Sequence, residues 1–406
     1  MFHLMWQKIK NVYHLMRAYA ACIYFGFPSK KLTVIGVTGT DGKTTTSHMI
    51  YEILKFAGKR VSLISSIHAQ IGEKSYDTGF HVTTPEPVAL QRFLRKVVKS
   101  HSEYLVLEAT SHGLDQNRIF GIGFNFAVLT NITHEHLDYH KSFENYILAK
   151  ARLFKYAKVS ILNLDDPSFF KIKKLANGKI ITYSIAKKAD FMPKKFPLKL
   201  KISGDYNLSN ALCAAALATQ IGISKKAITK TLNNFQGVKG RMEEVDLGQD
   251  YRVVVDFAHT PNGLKQVLKT LNSKRQTPSS KLIAVFGAAG ERDTLKRPRM
   301  GKIAAKYADI CILTAEDPRR EKIEDICEQI VQGILKSDKC ESKDFFKIYD
   351  RREAIEFAVK LAKPGDIVVC LGKSHEKSMC FGTKEYPWDE FKAVERAIAK
   401  KANEKE

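Results

Sequence analysis

Among the seven cysteines scattered from Cys22 to Cys380, no two are spaced as C-x-x-C. That absence excludes a zinc ribbon, and the spacing offers no disulfide framework, so the thiols are expected to be reduced, mostly core groups of a cytoplasmic protein. Acidic residues are scarce: 43 Asp and Glu stand against 66 Lys and Arg, a formal net charge of +23. The basic surplus is spread along the chain, and no RRM, helix-turn-helix or zinc-finger signature accompanies it. No nucleic acid is therefore expected as a partner; handling of polyanionic substrates accounts for the charge as well. Long hydrophobic runs are also missing. The N-terminal stretch MFHLMWQKIKNVYHLMRAYAACIYF is apolar at helical spacing but interrupted by Lys8, Lys10, His14 and Arg17. It is not a membrane span, and no small-residue cleavage site marks a signal peptide. An amphipathic helix packed on the next domain is expected over residues 1–25, with a weak contact to an anionic membrane surface as the alternative. There is no internal repeat and no low complexity before residue 399.

What is present is alternation. Short β-branched runs at 32–38, 60–65, 104–109 and 126–132 predict buried strands, with helical patterns near 43–57, 87–100 and 142–156. Alternation of this kind predicts a mainly parallel sheet covered by helices. A second series follows at 251–257, 281–287, 310–315 and 366–372, with helical patterns near 262–272, 298–308, 323–336 and 351–362. It predicts a second α/β domain. Between the series lies a helix-rich stretch that ends in QGVKGRME, and glycine with basic residues places the junction near Gly240. The expected organisation is an N-terminal helical segment at 1–31, a central domain at 32–240 and a C-terminal domain at 241–406.

The stretch VTGTDGKTTT at 37–46 lacks the glycine that the common P-loop carries six residues before its lysine; Val37 stands there. It nevertheless follows a predicted strand and opens a predicted helix. Gly39 and Gly42 can take backbone conformations closed to other residues, letting N–H groups face phosphates at the helix N-terminus. Lys43 would meet the β and γ phosphates, and the Thr44 hydroxyl is a candidate ligand for Mg²⁺. Glu108 closes a hydrophobic strand, where acidic ligands sit at the carboxyl edge of a parallel sheet. TNITHEHLDYH at 130–140 crowds His134, His136, Asp138 and His140 in sequence, which predicts a metal or substrate site.

With these motifs in hand the chain resembles the ATP-dependent Mur ligases, and most closely the UDP-N-acetylmuramoyl-tripeptide synthetases. The motifs GVTGTDGKTTT, TTPEP, LEATSHGLDQNR, TNITHEHLDYHKSFENYILAKARLF, GDYNLSNALCAAA, GRME, VVDFAHTPNGL, GAAGERDTLKRPRMG, EDPRRE and GKSHE carry the resemblance in family order. The resemblance implies a P-loop ATPase-type central domain and a Rossmann-like C-terminal domain. It implies ATP at Gly39, Thr40, Gly42, Lys43, Thr44, Thr45, Asn207, Asn210, Arg241, Asp256 and His259. It implies magnesium among Thr44, Glu108, His136 and Lys150, with Lys43, Glu108, His136 and Lys150 as the catalytic set. Lys150 matches the lysine that the family carbamylates. Thr83, Thr84, Thr110, Gln116 and Arg118 match groups that hold the muramoyl dipeptide, and Arg292, Asp317, Arg319, Gly372 and Glu376 match groups around the incoming amino acid. The activity implied is ADP-forming amide ligation through an acyl phosphate in peptidoglycan precursor synthesis, by a monomer, with a diamino acid as acceptor. No serine or cysteine triad is found, and none is required.

Some positions depart from the pattern. Typical family members begin with a uridine-nucleotide domain of roughly a hundred residues, whereas about thirty precede the first predicted strand here, so the UDP moiety is expected to lack its usual cradle. Glu316, Asp317, Pro318 and Arg319 stand where diaminopimelate-adding members carry D-N-P-R; a carboxylate at Asp317 would favour an ammonium group. Ser374 replaces a glycine and is expected to be strained if its φ is positive. Asp41 adds a negative charge beside the loop. A folylpolyglutamate synthetase and a non-catalytic nucleotide-binding regulator are the alternatives; TSHGLDQNR and EDPRRE favour the muramoyl substrate, and the full metal set favours catalysis.

Overall fold

A computed structural model describes residues 2–78 and 83–404, with side chains from residue 10 onward. The chain folds into two compact units: residues 1–133 with 140–236, and residues 134–139 with 237–406. The helical segment at the N-terminus is thus part of the first unit, and the division falls after Gln236, with a short excursion of the first sequence series into the second unit.

The first unit is built on eight strands: β1 Thr33–Thr38, β2 Val61–Ile64, β3 Ala69–Ile71, β4 Lys74–Tyr76, β5 Tyr104–Glu108, β6 Phe124–Leu129, β7 Val159–Asn163 and β8 Lys179–Tyr183. Their order is β4-β3-β2-β5-β1-β6-β7-β8. From β2 to β8 the pairings are parallel, and the hairpin β3-β4 adds antiparallel strands at one edge. β1 and β5 are buried nearly throughout, as their unbroken apolar runs require of strands covered on both faces. The helices that matter to the site are α1 Phe2–Phe25, α2 Lys43–Phe56, α3 Pro87–Lys99, α4 Ser111–Asp115, α5 Leu137–His140 and α6 Phe143–Lys155. α4 and α6 each start on a hydroxyl cap: Thr110 accepts from Gly113 N, and Ser142 from Asn145 N.

The second unit carries a six-stranded sheet from β9 Glu243–Val245, β10 Arg252–Asp256, β11 Leu282–Phe286, β12 Ile310–Leu313, β13 Phe345–Lys347 and β14 Ile367–Leu371. The order is β13-β12-β11-β14-β10-β9, parallel except for β9. A small antiparallel ribbon, β15 Ser378–Phe381 with β16 Lys384–Pro387, follows. Two apolar clusters cover the faces of this sheet, Leu264, Met300 and Ile330 belonging to one and Ile355, Val359 and Val394 to the other. No described helix is long and apolar enough to cross a membrane.

Candidate functional site

In the first unit β1 lies between β5 and β6, and Val37 pairs in register with Glu108, so the loop leaving β1 emerges beside the end of β5. Two features force the shape of this loop. A Cβ on Gly39 would stand 1.8 Å from Thr130 Oγ1, and Gly42 sits at φ 82° with a Cβ position 2.5 Å from Asn210 Oδ1. Neither place tolerates a side chain without movement of its neighbour. The segment after β6 straps the loop: Thr40 N donates to Asn131 O at 2.7 Å, Asp41 N to Asn131 Oδ1 at 3.0 Å, and Thr130 Oγ1 donates to Asp41 O at 2.7 Å.

Two lysines converge on the same carbonyl. Lys43 Nζ donates to Gly39 O at 3.1 Å and to Thr40 O at 2.8 Å, while Lys150 Nζ, from α6, reaches Gly39 O at 2.7 Å. Lys150 is 1% exposed. Burial, with the Lys43 charge adding to it, pushes its ammonium well below the usual lysine range, against the opposing pull of Asp41 and Asp166. Asp41, a puzzling charge when read in the sequence, therefore counters part of the cost of burying Lys150. Behind the loop the Thr44 hydroxyl donates to Glu108 Oε2 at 3.2 Å and shares a 2.9 Å contact with Ser66 Oγ. Glu108 is fully buried at the end of β5. A hydroxyl and a carboxylate are the hard oxygen donors that Mg²⁺ takes, so this pair fits that ion. Thr45 is buried on the first turn of α2, and the buried Asn207 donates through Nδ2 to Ser203 O at 2.7 Å.

A second network in this unit joins the residues expected to hold the donor. Thr84 Oγ1 donates to Glu108 O at 3.1 Å, lies 3.0 Å from Thr110 Oγ1, and accepts from Thr110 N at 3.0 Å. Arg118 donates from Nε to Gln116 Oε1 at 2.9 Å and from Nη1 to Thr84 O at 3.0 Å. Its other nitrogen pairs with Glu86 at 3.0 Å. Four of the five residues, all but the half-buried Thr83, are thus tied to one another, and through Thr84 to the strand that ends in Glu108.

The histidine-rich segment is divided. His134–Tyr139 belongs to the second unit and His140 to the first, and among the described residues no group of three or more His, Cys, Asp or Glu could hold a metal ion. His140 packs its ring 5.2 Å from that of Tyr146, and burial pushes its pKa to about 4, leaving it neutral at physiological pH. His136 lies in the segment assigned to the second unit, at φ 57°.

Within the second unit Asp256, at the end of β10, accepts from Met242 N at 2.7 Å and Ala258 N at 2.7 Å, and so pins the GRME turn. Arg241, from that turn, lies 4.6 Å over the Phe257 ring, which also meets the rings of His259 and His375 at 4.7 Å. His259 Nδ1 is 2.9 Å from Phe257 O. Asp317 does not present an open carboxylate. Its Oδ1 accepts from Lys373 Nζ at 2.8 Å and Cys380 N at 2.9 Å, and Lys373 also donates to Glu376 at 2.6 Å. Lys373, itself completely buried, is thus shared between the carboxylates of Asp317 and Glu376. Arg319 sits at φ 54°, donating to Gly290 O at 3.4 Å, and Arg292 is exposed. Gly372 adopts φ 103°, and a Cβ there would stand 2.5 Å from Glu316 Oε2. Ser374 has φ 47°, and its hydroxyl donates to Gly240 O at 2.6 Å.

Sequence reasoning missed Ser66, Asp166 and Tyr146. Asp166 accepts from Ile132 N at 2.8 Å, holding the strap behind the loop, and Tyr146 OH lies 3.0 Å from Thr40 Oγ1. No local pattern marks these residues; Tyr146 alone carried a signal, four positions before Lys150 on one helix face.

Residues 37–218 match the family model of the Mur ligase middle domain, and 240–374 that of the Mur ligase, glutamate ligase domain. The UDP-N-acetylmuramoyl-L-alanyl-D-glutamate–2,6-diaminopimelate ligase of Syntrophomonas wolfei is 38% identical over 400 residues, covering 93% of this chain and 80% of its own. This chain belongs to the Mur ligase family. The UDP-N-acetylmuramyl-tripeptide synthetase of Borreliella burgdorferi is 38% identical over 403 residues, with 93% of this chain and 78% of the relative covered. Among solved structures, a UDP-N-acetylmuramoyl-L-alanyl-D-glutamate–2,6-diaminopimelate ligase matches with a TM-score of 0.59 at 35% identity, covering 91% of this chain and 79% of that one. The folylpolyglutamate synthase of Mycobacterium tuberculosis, solved with ADP, matches with a TM-score of 0.68 at 16% identity over 89% of this chain and 92% of its own. That likeness shows the Mur ligase fold alone.

Proposed function

We propose that this chain is an ADP-forming amide ligase that adds a diamino acid to a UDP-N-acetylmuramoyl-dipeptide in peptidoglycan precursor synthesis. The observation that carries the reading is the convergence of Lys43, Thr44 and Glu108 at the end of β1 and β5, in a chain 38% identical over most of its length to a ligase of this class. ATP phosphates would lie along the backbone N–H groups of Gly39–Thr44, with Lys43 leaving its loop carbonyls to meet them. Thr44 and Glu108, together with His136 and Lys150 by family match, would hold Mg²⁺. That ion supplies screening between a substrate carboxylate and the γ-phosphate, both anionic.

The donor carboxylate attacks the γ-phosphorus and ADP leaves, giving an acyl phosphate; the acceptor amine then attacks the acyl carbon and phosphate departs. Lys43 offsets charge on the transferred group, which is where positioning and electrostatics supply most of the rate. Thr84, Thr110, Gln116 and Arg118 orient the donor peptide. Arg241, Asp256, His259, Asn207 and Asn210 are assigned to the nucleotide. Arg292, Arg319, Gly372 and Glu376 are assigned to the acceptor, with Asp317 acting through Lys373. Lys150, whose buried amine is held toward its neutral form, is chemically suited to take up CO₂ as a carbamate. The protein is proposed to work as a cytoplasmic monomer.

The test is phosphate release by the purified chain with ATP, Mg²⁺ and UDP-N-acetylmuramoyl-L-alanyl-D-glutamate, offering 2,6-diaminopimelate and lysine in turn. Release that depends on donor and on one diamino acid is expected. Turnover only with a folate donor and glutamate, or none with any pair, would overturn the assignment.

A further inference from the structure

Helix α1 is turned the wrong way for a free-standing soluble surface. Two of its described polar residues face the protein: Asn11 Nδ2 donates to Asp115 Oδ2 at 3.2 Å, and Arg17 pairs with Glu86 at 3.8 Å. Small residues make the contact beside them, with Ala18, Ala21 and Cys22 buried and Cys22 Sγ 3.3 Å from Gln91 Nε2 of α3. The opposite side carries Val12, Met16, Tyr19 and Ile23, a stripe at helical spacing, flanked by Tyr13 and Tyr24; Met16 is 66% and Tyr24 79% exposed. Exposed apolar side chains scattered singly need no explanation, but a continuous helical stripe does. The helix is 24 residues long and contains no Asp or Glu.

The exposed charge on the elements next to this stripe is mainly basic, with Glu86 at the start of α3 paired to Arg17 and Arg118. α3, which packs against α1, is also free of acidic residues and exposes Arg92, Arg95 and Lys99 along its outer side. Lys30 and Lys31, directly after α1, are exposed as well. An apolar stripe beside a surplus of cations complements a bilayer whose headgroups are anionic, because the side chains enter the acyl boundary while the cations meet phosphate. No described helix is long and apolar enough to span. We propose that α1 lies in the plane of an anionic lipid surface, with Val12, Met16, Tyr19 and Ile23 inserted and the cations of α3 and Lys30–Lys31 against the headgroups, making this ligase a peripheral membrane protein.

The experiment is sedimentation of the full chain with vesicles of phosphatidylcholine containing about 30 mol % phosphatidylglycerol, against phosphatidylcholine alone. Binding needs neither nucleotide nor turnover, so its outcome is separate from that of the ligase assignment. The wild-type chain is expected to bind the anionic vesicles at least about tenfold more tightly than the neutral ones, and to be released by high salt. Met16→Glu/Ile23→Glu should lose at least about tenfold in binding. Arg92→Gln/Arg95→Gln/Lys99→Gln should lose as much while leaving α1 unaltered, which covers the case in which the first variant misfolds. Absence of binding, equal binding to both vesicles, or unchanged binding by both variants would overturn the proposal. So would light scattering that shows a dimer dissociated by Met16→Glu/Ile23→Glu in a chain that ignores vesicles, since the stripe would then be covered by a second copy.

Discussion

Lys150 is where stability and function point in opposite directions. A lysine at 1% exposure is expensive to hold, and its displaced pKa reports that cost, so an apolar side chain of similar length should be tolerated. Lys150→Met is expected to leave unfolding free energy within about 1 kcal/mol of wild type, since Gly39 O keeps Lys43 as a donor. Phosphate release should fall by about a hundredfold or more, because methionine offers no amine to take up CO₂ and so no anionic group for the magnesium side of the site. Urea unfolding and turnover measured on one preparation check this; a variant that unfolds but works when folded would make Lys150 merely structural. Glu316 is a second buried group with a legible consequence. Burial pushes its carboxyl up to about 7, although Lys296, Arg351 and Lys373 draw it down, and its Oε2 has no hydrogen-bond partner. Its folded pKa is raised, so its contribution is fully present below the unfolded value near 4.5 and is lost as pH rises through about 7. The native state binds the extra proton, and over that window stability should drop by on the order of 3 kcal/mol. Glu316→Gln, which cannot ionise, should flatten the fall in urea midpoint between about pH 5 and 8; parallel curves for the two proteins would refute the assignment.

At the level of elements, the Ser374 turn shows how a strained position is kept. A serine at φ 47° costs strain, but its hydroxyl bonds Gly240 O at 2.6 Å across two loops of the second unit. Ser374→Ala keeps the strain and loses the bond, so it should destabilise by about 1 kcal/mol, whereas Ser374→Gly loses both and should be near neutral. Thermal melts of the two variants test this, and equal losses would deny the bond its role. Most elements were legible before any coordinates: the run at 32–38 is β1 Thr33–Thr38, the pattern at 43–57 is α2 Lys43–Phe56, and 366–372 is β14 Ile367–Leu371. Each is a long apolar run or a periodic one, the two signals that survive without tertiary context. β7 and β8 were not anticipated, nor was the β3-β4 hairpin, whose three-residue strands are too short to show a period. The phosphate loop and its lysine were legible because motif residues are contiguous. The pairing of Asp317 with Lys373 was not, since 56 residues separate the partners and only the fold brings them together. An ion pair between two charges far apart in the chain reads from sequence as two separate groups, because nothing local marks the partner.

For the molecule as a whole the unspent quantity is charge. A net charge of +23 on 406 residues creates a field felt beyond any single contact. Of the proposed substrates, ATP and the UDP-linked donor are polyanions, while 2,6-diaminopimelate balances its ammonium groups with as many carboxylates and is net neutral. The field should therefore steer the first two and leave the third unaffected, and screening should separate them. Raising KCl from about 50 to about 300 mM shortens the screening length roughly from 14 to 6 Å, enough to remove long-range attraction but not contacts inside a closed site. KM for the donor is expected to rise several-fold over that range, KM for the amino acid to stay within about twofold, and kcat to change little, since the reacting groups are held at short range. Steady-state kinetics with each substrate varied in turn give the three numbers. A common salt effect on donor and acceptor would mean that salt acts on the folded state or on ATP binding alone, and the basic surplus would then have no part in capturing the donor.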